Sequence, residues 1–278
     1  MSVALRKKPE VEKRAKPFLK WAGGKTQLLP EIYKRFPDNF NRYHEPFVGG
    51  GAVFFGLHPN KCTLSDVNAD LINTYTTIRD DVDGLIRVLK EHRVEEEYYY
   101  QMRQLKVANL NDTEAAARII YLNRTCFNGL YRVNRKGEFN VPFGKSSNPT
   151  ICNSDNLYRV SERLQDVKLK CESVFNIARR VRRNDLVYFD PPYDPLSKTS
   201  SFTSYAKGGF GDEEQIRLAE LFTRLANRGV HVVLSNSDTP FIRKLYKGFK
   251  VSKVYARRAI NSRADRRGPV GEVIVSTR

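Results

Sequence analysis

The sequence predicts an α/β fold built on a largely parallel sheet, and three patterns along its 278 residues support that prediction. Short β-rich runs alternate with amphipathic helical stretches, as in sheets whose parallel strands are joined by helices. Two strand-like runs stop abruptly at loop-forming residues, one at Gly49-Gly50-Gly51 and a fully apolar one at Asp190-Pro191-Pro192. The alternation is interrupted over residues 80–156, where helical stretches lead into a polar, aromatic and basic segment. This interruption indicates a second, smaller domain inserted into the α/β core.

The elements of the first half follow from the spacing of their apolar residues. Residues 27–36 predict a helix, in which Pro30 is tolerated near the first turn. Residues 43–48 predict a strand that ends at the glycine run. Residues 62–64 predict a second strand that ends at Asp66. The helix after it is predicted from apolar residues at helical spacing, namely Leu71, Ile72, Tyr75 and Ile78.

The second half is interpreted in the same way. Residues 186–189 form a wholly apolar run and predict a buried strand. Asp212 is expected to cap a helix that stops just before Gly229. Residues 230–234 predict another buried strand, and residues 273–275 predict the last one.

Charge narrows the class of partner. The 48 Lys and Arg residues exceed the 31 Asp and Glu residues, giving a net charge of +17. Such an excess is typical of proteins that bind polyanions, because neutralising phosphates releases counterions. A merely basic enzyme and a protein of anionic membrane surfaces are the alternatives. No apolar run reaches the roughly 18 residues that a membrane span needs, and no basic amphipathic helix stands out.

The N-terminus and the cysteines bear on the compartment. Residues 1–16 are charged, lack an apolar core segment and are interpreted as a disordered basic leader rather than a secretory signal. The cysteines are far apart and form no C-x-x-C pair, which argues against zinc or iron–sulfur ligation and against a disulfide framework. They are Cys62, Cys126, Cys152 and Cys171. We therefore expect a reducing cytoplasm and no bound metal.

The tetrapeptide Asp190-Pro191-Pro192-Tyr193 lies where an apolar strand ends, the position at which open α/β sheets bind ligands. The Asp190 carboxylate and the Pro191 carbonyl are both hydrogen-bond acceptors, and Tyr193 offers an aromatic face. This combination suits a planar group that carries an exocyclic NH2. An ordinary Asp-Pro turn leaving a strand is the alternative.

Two further segments suit a cofactor. The run from Glu45 to Gly51 joins a strand to glycines that allow close approach of a ligand to the backbone, although it is neither G-x-G-x-x-G nor a P-loop. Asp66, at the end of the next strand, can bind ribose hydroxyls. Trp21 and Lys25 offer an aromatic wall and a cation. The alternatives are a tight turn, a helix-capping Asp and a hydrophobic anchor for the N-terminus.

Six segments in this order resemble bacterial and phage DNA adenine methyltransferases of the Dam type. They are residues 18–25, 45–51, 64–70, 122–132, 137–144 and 190–193. The resemblance implies a Rossmann-like S-adenosylmethionine-dependent methyltransferase fold with an inserted, mainly helical target-recognition domain. It places the catalytic domain at residues 17–79 and 157–278 and the target-recognition domain at residues 80–156.

The resemblance also implies roles for individual residues. The catalytic positions are Asp190, Pro191 and Tyr193. The positions expected to bind S-adenosylmethionine are Trp21, Lys25, Glu45, Phe47, Gly49, Gly51, Asp66 and Asp190. The positions expected to contact DNA are Lys20, Arg124, Phe127, Asn128, Leu130, Arg132, Pro142, Arg263, Arg266 and Arg267. Phe127 stands where the best-known enterobacterial form has Tyr, and Phe keeps a face for stacking in the DNA.

The expected activity is methyl transfer from S-adenosylmethionine to N6 of an adenine flipped out of double-stranded DNA, in the sequence GATC. The base must be extruded because N6 cannot be reached inside a duplex. The same tetrapeptide also suits methylation of RNA adenine or of a protein glutamine amide, and a catalytically dead DNA-binding relative is a further alternative. We expect a monomer that acts in the bacterial cytoplasm, encoded by a bacterium or a phage.

Overall fold

A computed structural model describes residues 14–134, 136–146, 148–195, 210–257 and 269–277. Its seven-stranded sheet has the order β3-β2-β1-β4-β5-β7-β6. The strands β1 to β5 run parallel to one another, whereas β7 runs antiparallel to both β5 and β6. They are β1 (Tyr43–Glu45), β2 (Cys62–Asp66), β3 (Val167–Cys171), β4 (Leu186–Phe189), β5 (His231–Ser237), β6 (Lys250–Arg257) and β7 (Pro269–Ser276). The sheet confirms the predicted Rossmann-like α/β class.

Helices flank the sheet and also make up much of residues 80–156, the segment predicted to be an inserted domain and called the inserted segment below. They are α1 (Leu29–Tyr33), α2 (Ala52–Leu57), α3 (Ala69–Asp80), α4 (Val82–Glu91), α5 (Glu96–Gln104), α6 (Asp112–Thr125), α7 (Ser154–Leu164), α8 (Asp212–Asn227) and α9 (Pro240–Leu245). Within the described ranges, no helix is both long enough and apolar enough to cross a bilayer.

Several predicted boundaries are wrong: the helix predicted over residues 27–36 spans only Leu29–Tyr33, β5 continues to Ser237, and β7 begins at Pro269. Two further errors have a local cause. The strand predicted over residues 43–48 ends at Glu45, because Gly49 and Gly51 adopt φ values of 47° and 69° and turn the chain. Asp212 does not cap α8 but is its first helical residue. Gly211 is the N-cap, and its amide donates to the Glu214 carboxylate at 3.0 Å.

The buried side chains form three clusters. The largest contains residues of β1, β2, α3 and α7, together with Leu85 and Leu89 of α4 and Ile120 of α6. The second packs α8 and α9 against β4, β5 and β7. The third belongs to the inserted segment and is built from Tyr99, Tyr121, Leu122, Cys126, Phe139 and Val141. Helix α4 thus packs with the sheet layer, while the domain boundary at residue 80 stays a prediction.

A half-buried histidine, His92, makes the stability of the protein depend on pH. The His92 Nδ1 atom lies 2.8 Å from the Tyr98 hydroxyl, and the His92 ring stacks on Tyr121 with centroids 4.5 Å apart. Burial lowers the pKa of His92 to about 4, from an unfolded value of about 6.5. The unfolded chain therefore takes up the proton first as pH falls, and stability is lost between those two values.

We expect the free energy of unfolding to fall by about 1 kcal/mol from His92 alone between pH 7 and pH 5, because solvent that reaches the half-buried ring weakens the full effect. Burial also lowers the pKa values of His44 and His58, which act in the same direction. Denaturant unfolding at both pH values should therefore show a smaller fall for His92→Gln than for the wild type. An equal fall in the free energy of unfolding of the two proteins would show that His92 does not cause the pH dependence.

Candidate functional site

The carboxyl ends of β2, β1 and β4 meet at one edge of the sheet, because these strands are parallel neighbours. The glycine loop (residues 46–51) follows β1, Asp66 ends β2, and Asp190 follows β4. The three segments singled out in the sequence are thus brought to one edge. Open α/β sheets bind ligands outside this edge.

The glycine loop has a conformation and a packing that favour glycine. A Cβ atom on Gly51 would lie 2.6 Å from the Tyr75 hydroxyl oxygen, and one on Gly49 would lie 2.7 Å from Cδ1 of Trp21. The Tyr75 hydroxyl donates to the Gly49 carbonyl at 3.0 Å. Both positive φ values also disfavour any side chain. The loop therefore has one tightly held shape against which Trp21 packs.

Asp66 links the glycine loop to the end of β2. One of its carboxylate oxygens accepts a hydrogen bond from the Gly49 amide at 3.2 Å, and the other accepts from the Asn68 amide at 3.0 Å. Burial raises the pKa of Asp66, while these amides oppose the shift. The next residue, Val67, is 59% exposed. A fixed carboxylate beside an open apolar side chain fits a nucleoside, whose ribose is polar and whose base is flat.

Asp190 forms an ion pair with a nearly buried lysine. The Lys25 Nζ atom lies 2.8 Å from the Asp190 Oδ1 atom, and the Lys25 side chain is only 5% exposed. Burial raises the pKa of Asp190 to about 6, and the nearby Lys25 opposes that shift. At neutral pH the side chain is therefore mainly a carboxylate, which can accept hydrogen bonds.

The tetrapeptide is held by residues that sequence reasoning missed. The Tyr193 hydroxyl donates to Glu272 of β7 at 2.7 Å. The Gln215 amide of α8 donates to the Pro192 carbonyl at 2.9 Å, and Asn236 of β5 accepts from the amide of the residue after Tyr193 at 3.1 Å. Only Asn236 carried a usable signal, since it lies near the carboxyl end of the strand beside β4.

The other residues predicted to bind the cofactor lie around the glycine loop. Trp21 stacks on Tyr131 of the inserted segment, with ring centroids 4.8 Å apart. Phe47 is partly buried and packs against the second core cluster. Glu45 is 3% exposed and accepts a hydrogen bond from the Tyr43 hydroxyl at 2.7 Å. Burial raises the pKa of Glu45 to about 8. At neutral pH this carboxyl group, at the end of β1, is therefore largely uncharged.

Several residues predicted to contact DNA line an opening between the inserted segment and the chain around Lys20. Its lining includes Lys20, Arg124, Phe127, Asn128 and Lys145. Phe127 is 48% exposed although aromatic, and Asn128 has a φ of 57° that turns the chain sharply. An exposed aromatic side chain on a basic surface is typical of single-base stacking in nucleic-acid binding.

Asn123 and Arg124 of α6 attach this segment to the chain beside the glycine loop. The fully buried Asn123 side chain accepts from the Lys20 amide and donates to the Lys20 carbonyl, both at 2.8 Å. The Arg124 guanidinium donates to the Phe18 carbonyl at 2.6 Å. Arg124 is therefore engaged with the protein's own backbone, and its contact with DNA stays a prediction.

Three other residues predicted to contact DNA follow α6 in the chain, namely Leu130, Arg132 and Pro142. The Arg132 Nε atom donates to the Asn140 side chain at 2.7 Å, and its Nη2 atom donates to the Asn140 carbonyl at 3.1 Å. The Pro142 carbonyl accepts from the Phe127 amide at 2.9 Å, and Leu130 packs against the third cluster. Arg263, Arg266 and Arg267 lie outside the described residues.

In the part of the chain that is described, no cluster of three or more His, Cys, Asp or Glu side chains is placed to hold a metal ion.

Comparison with known proteins gives one consistent answer. The family model of D12 class N6 adenine-specific DNA methyltransferases matches residues 21–260. The Type II methyltransferase M.MjaIII of Methanocaldococcus jannaschii is 47% identical over 274 residues, which cover 91% of this chain and 95% of that protein. The Type II methyltransferase M1.LlaDCHI of Lactococcus lactis is 43% identical over 269 residues, covering 94% and 95%. The DNA adenine methylase of Escherichia coli is 38% identical over 266 residues, also covering 94% and 95%.

Proposed function

The chain belongs to the D12 class of N6 adenine-specific DNA methyltransferases, and from this premise we propose that it methylates a flipped adenine with S-adenosylmethionine. The observation that carries the proposal is the Asp190 carboxylate beside Lys25, next to the Pro191 carbonyl and the Tyr193 ring. These groups stand at the edge of the sheet that also holds the glycine loop and Asp66.

The residues of this edge fit the cofactor. Asp66 would bind the ribose hydroxyls, and the glycine loop would allow close approach of the ligand to the backbone. Asp190 provides negative charge for a sulfonium, and Trp21 provides an aromatic wall beside the loop. When bound, S-adenosylmethionine supplies a methyl group activated by its positive sulfur. The protein's contribution is to hold the acceptor nitrogen in line with that methyl group.

Asp190 and Pro191 act on the adenine amino group. An aromatic NH2 is a poor nucleophile because its lone pair is delocalised into the ring. Two acceptors, the Asp190 carboxylate and the Pro191 carbonyl, favour a pyramidal N6 and stabilise the positive charge that develops there during attack. Tyr193 stacks on the base. Its ring already carries Lys25 Nζ on one side, 4.7 Å from the centroid.

The base reaches this site by leaving the helix. Unstacking costs a few kcal/mol, which stacking partners must offset. The exposed Phe127 would enter the DNA stack, and Asn128 would fill the space that the adenine leaves. Lys20, Leu130 and Arg132 are the candidates for reading the target sequence GATC, with Lys20 joined to the inserted segment through Asn123.

Arg132 is expected to read a guanine. Asn140 holds the Nε side of its guanidinium, and the Nη1–Nη2 edge can bind guanine O6 and N7 bidentately. Arg132→Ala should therefore relax the choice of base at one pair of GATC, at about 1–3 kcal/mol of discrimination. The measurement is kcat/KM on GATC and on each of its single-base variants.

Lys145→Ala is the matched control for Arg132, because Lys145 is exposed in the same opening and suits a phosphate contact. This variant should lower kcat/KM on all sequences alike and reduce the slope of log K against log salt by about one. Equal relative losses on every sequence for Arg132→Ala would make Arg132 a phosphate contact too. The base reader would then be sought at Lys20 or Asn128.

The proposal as a whole is tested by product mapping. Plasmid DNA incubated with the purified protein and S-adenosylmethionine should gain N6-methyladenine at GATC and at few other sites, as detected by single-molecule sequencing. Methylation at another sequence would leave the reaction intact and overturn GATC. Transfer to RNA or to a protein glutamine, in parallel reactions with those substrates, would overturn the choice of substrate.

We further propose that the protein acts as a monomer in the cytoplasm of a bacterium, which is where its DNA substrate lies.

A further inference from the structure

We propose that Glu272 is a positioning residue for methyl transfer: its carboxylate holds the Tyr193 hydroxyl and sets the balance of charge around Asp190. The inference rests on the proposed function, because it assigns Glu272 to the reaction in which Asp190 and Tyr193 act. It also gives a task to the strand β7, which follows the last of the segments that resemble the Dam-type enzymes.

Glu272 has a rigid backbone and a defined partner. On β7 it lies opposite Ser237 of β5 on one side and opposite Val254 of β6 on the other. Its Oε2 atom lies 2.7 Å from the Tyr193 hydroxyl oxygen, which donates the hydrogen bond. A strand paired on both sides fixes the acceptor, and the acceptor fixes the plane and height of the tyrosine ring. The ring must be placed in this way to stack on a flipped base.

The same contact places a second carboxylate near Asp190. Lys25 Nζ is 2.8 Å from Asp190 and 4.7 Å from the centre of the Tyr193 ring, so one ammonium group lies between the catalytic carboxylate and the tyrosine that Glu272 holds. A hydrogen bond from a phenol to a carboxylate keeps the phenol protonated. The pKa of Tyr193 is raised accordingly, chiefly by burial, with Asp190 and Glu272 acting in the same direction.

The titratable groups around Asp190 come from three strands and from the chain before α1. Lys25 precedes α1, Glu45 lies on β1, Tyr188 on β4 and Glu272 on β7. Among the charges, Lys25 lowers the pKa of Asp190 whereas Glu272 raises it. Removing the charge of Glu272 should therefore let Asp190 lose its proton at a lower pH. A residue with a purely structural role would not move that titration.

The experiment compares Glu272→Gln with Tyr193→Phe in the full-length protein. Single-turnover methylation of a GATC duplex is measured from pH 5 to pH 9 with saturating S-adenosylmethionine. We expect Glu272→Gln to lower the rate by about 3–30-fold, less than the loss of a whole charged hydrogen bond would cost, because the glutamine keeps an acceptor oxygen. Its acid limb should move to lower pH. Tyr193→Phe removes the hydrogen bond but keeps the charge, so its rate should fall while its acid limb stays in place.

Two comparisons make the result decisive. The double variant should lose little more than the slower single variant, because both changes act on the same hydrogen bond. Glu213→Gln, at an exposed acid in the first turn of α8, should match the wild type in rate and in pH profile. If Glu272→Gln loses its cooperative thermal unfolding, Tyr193→Phe decides alone, and a rate within twofold of the wild type overturns the inference.

The failure of this inference differs from the failure of the proposed function. A wild type that methylates DNA, together with a Glu272→Gln variant of full rate and unmoved acid limb, overturns the role of Glu272 only. Additive losses in the double variant overturn it as well. A folded wild type that transfers no methyl group to DNA adenine overturns the proposed function first.

Discussion

Asp190→Ala is expected to abolish methylation, with a fall in kcat of at least about a hundredfold. The change removes the charged acceptor for the adenine amino group and leaves the nearly buried Lys25 without the carboxylate 2.8 Å away. The measurement is single-turnover methylation of a GATC duplex, with thermal unfolding and DNA binding recorded on the same preparation. If the folded variant keeps a tenth of the wild-type kcat, the role assigned to Asp190 is wrong.

Asp190→Asn separates charge from shape at the same position. The amide keeps one acceptor oxygen but can present a donor NH2 to N6, so most of the activity should still be lost. Asp212→Asn is the matched control, since Asp212 is an exposed acid at the start of α8 and should leave the rate unchanged.

The pH dependence of the wild type follows from the same residue. The active form of Asp190 is the carboxylate, and burial raises its pKa to about 6. The value of kcat/KM should therefore fall as pH drops through about 6, because that ratio reports groups of the free enzyme.

Asp66→Ala is expected to weaken binding of S-adenosylmethionine by about 1–3 kcal/mol, or roughly 5- to 150-fold. The change removes the expected partner of the ribose hydroxyls. It also removes the acceptor for the Gly49 amide at 3.2 Å, which helps to hold the glycine loop. Titration calorimetry with S-adenosylmethionine measures the loss, and binding of DNA should change little.

Two variants control this second result. Asp66→Asn keeps an oxygen for the Gly49 or Asn68 amide and should lose less affinity than Asp66→Ala. Asp70→Asn changes a partly buried acid in the first turn of α3, the helix that follows β2 and Asp66. This variant should bind the cofactor as the wild type does. An unchanged cofactor Kd in Asp66→Ala would assign the ribose contact to another residue.

The sequence by itself predicted the parts of this protein that depend on local pattern. Short strand-like runs predicted β2 and β4, and the end of each run identified Asp66 and Asp190. Helical spacing predicted α3, and Gly229 correctly marked the end of α8 with its φ of 74°. These features follow from neighbouring residues, because periodicity and turn chemistry are properties of short segments.

Only the tertiary structure decided which residues stand around those positions. Glu272 reaches Tyr193 because β7 is inserted antiparallel between β5 and β6, an order that no local pattern contains. Lys25 pairs with Asp190 across more than half of the chain, and Arg124 is directed to the Phe18 carbonyl. Periodicity shows which face of an element is buried but not which element covers it. Side-chain partners that are distant in sequence are fixed by strand order and packing, which the chain determines only as a whole.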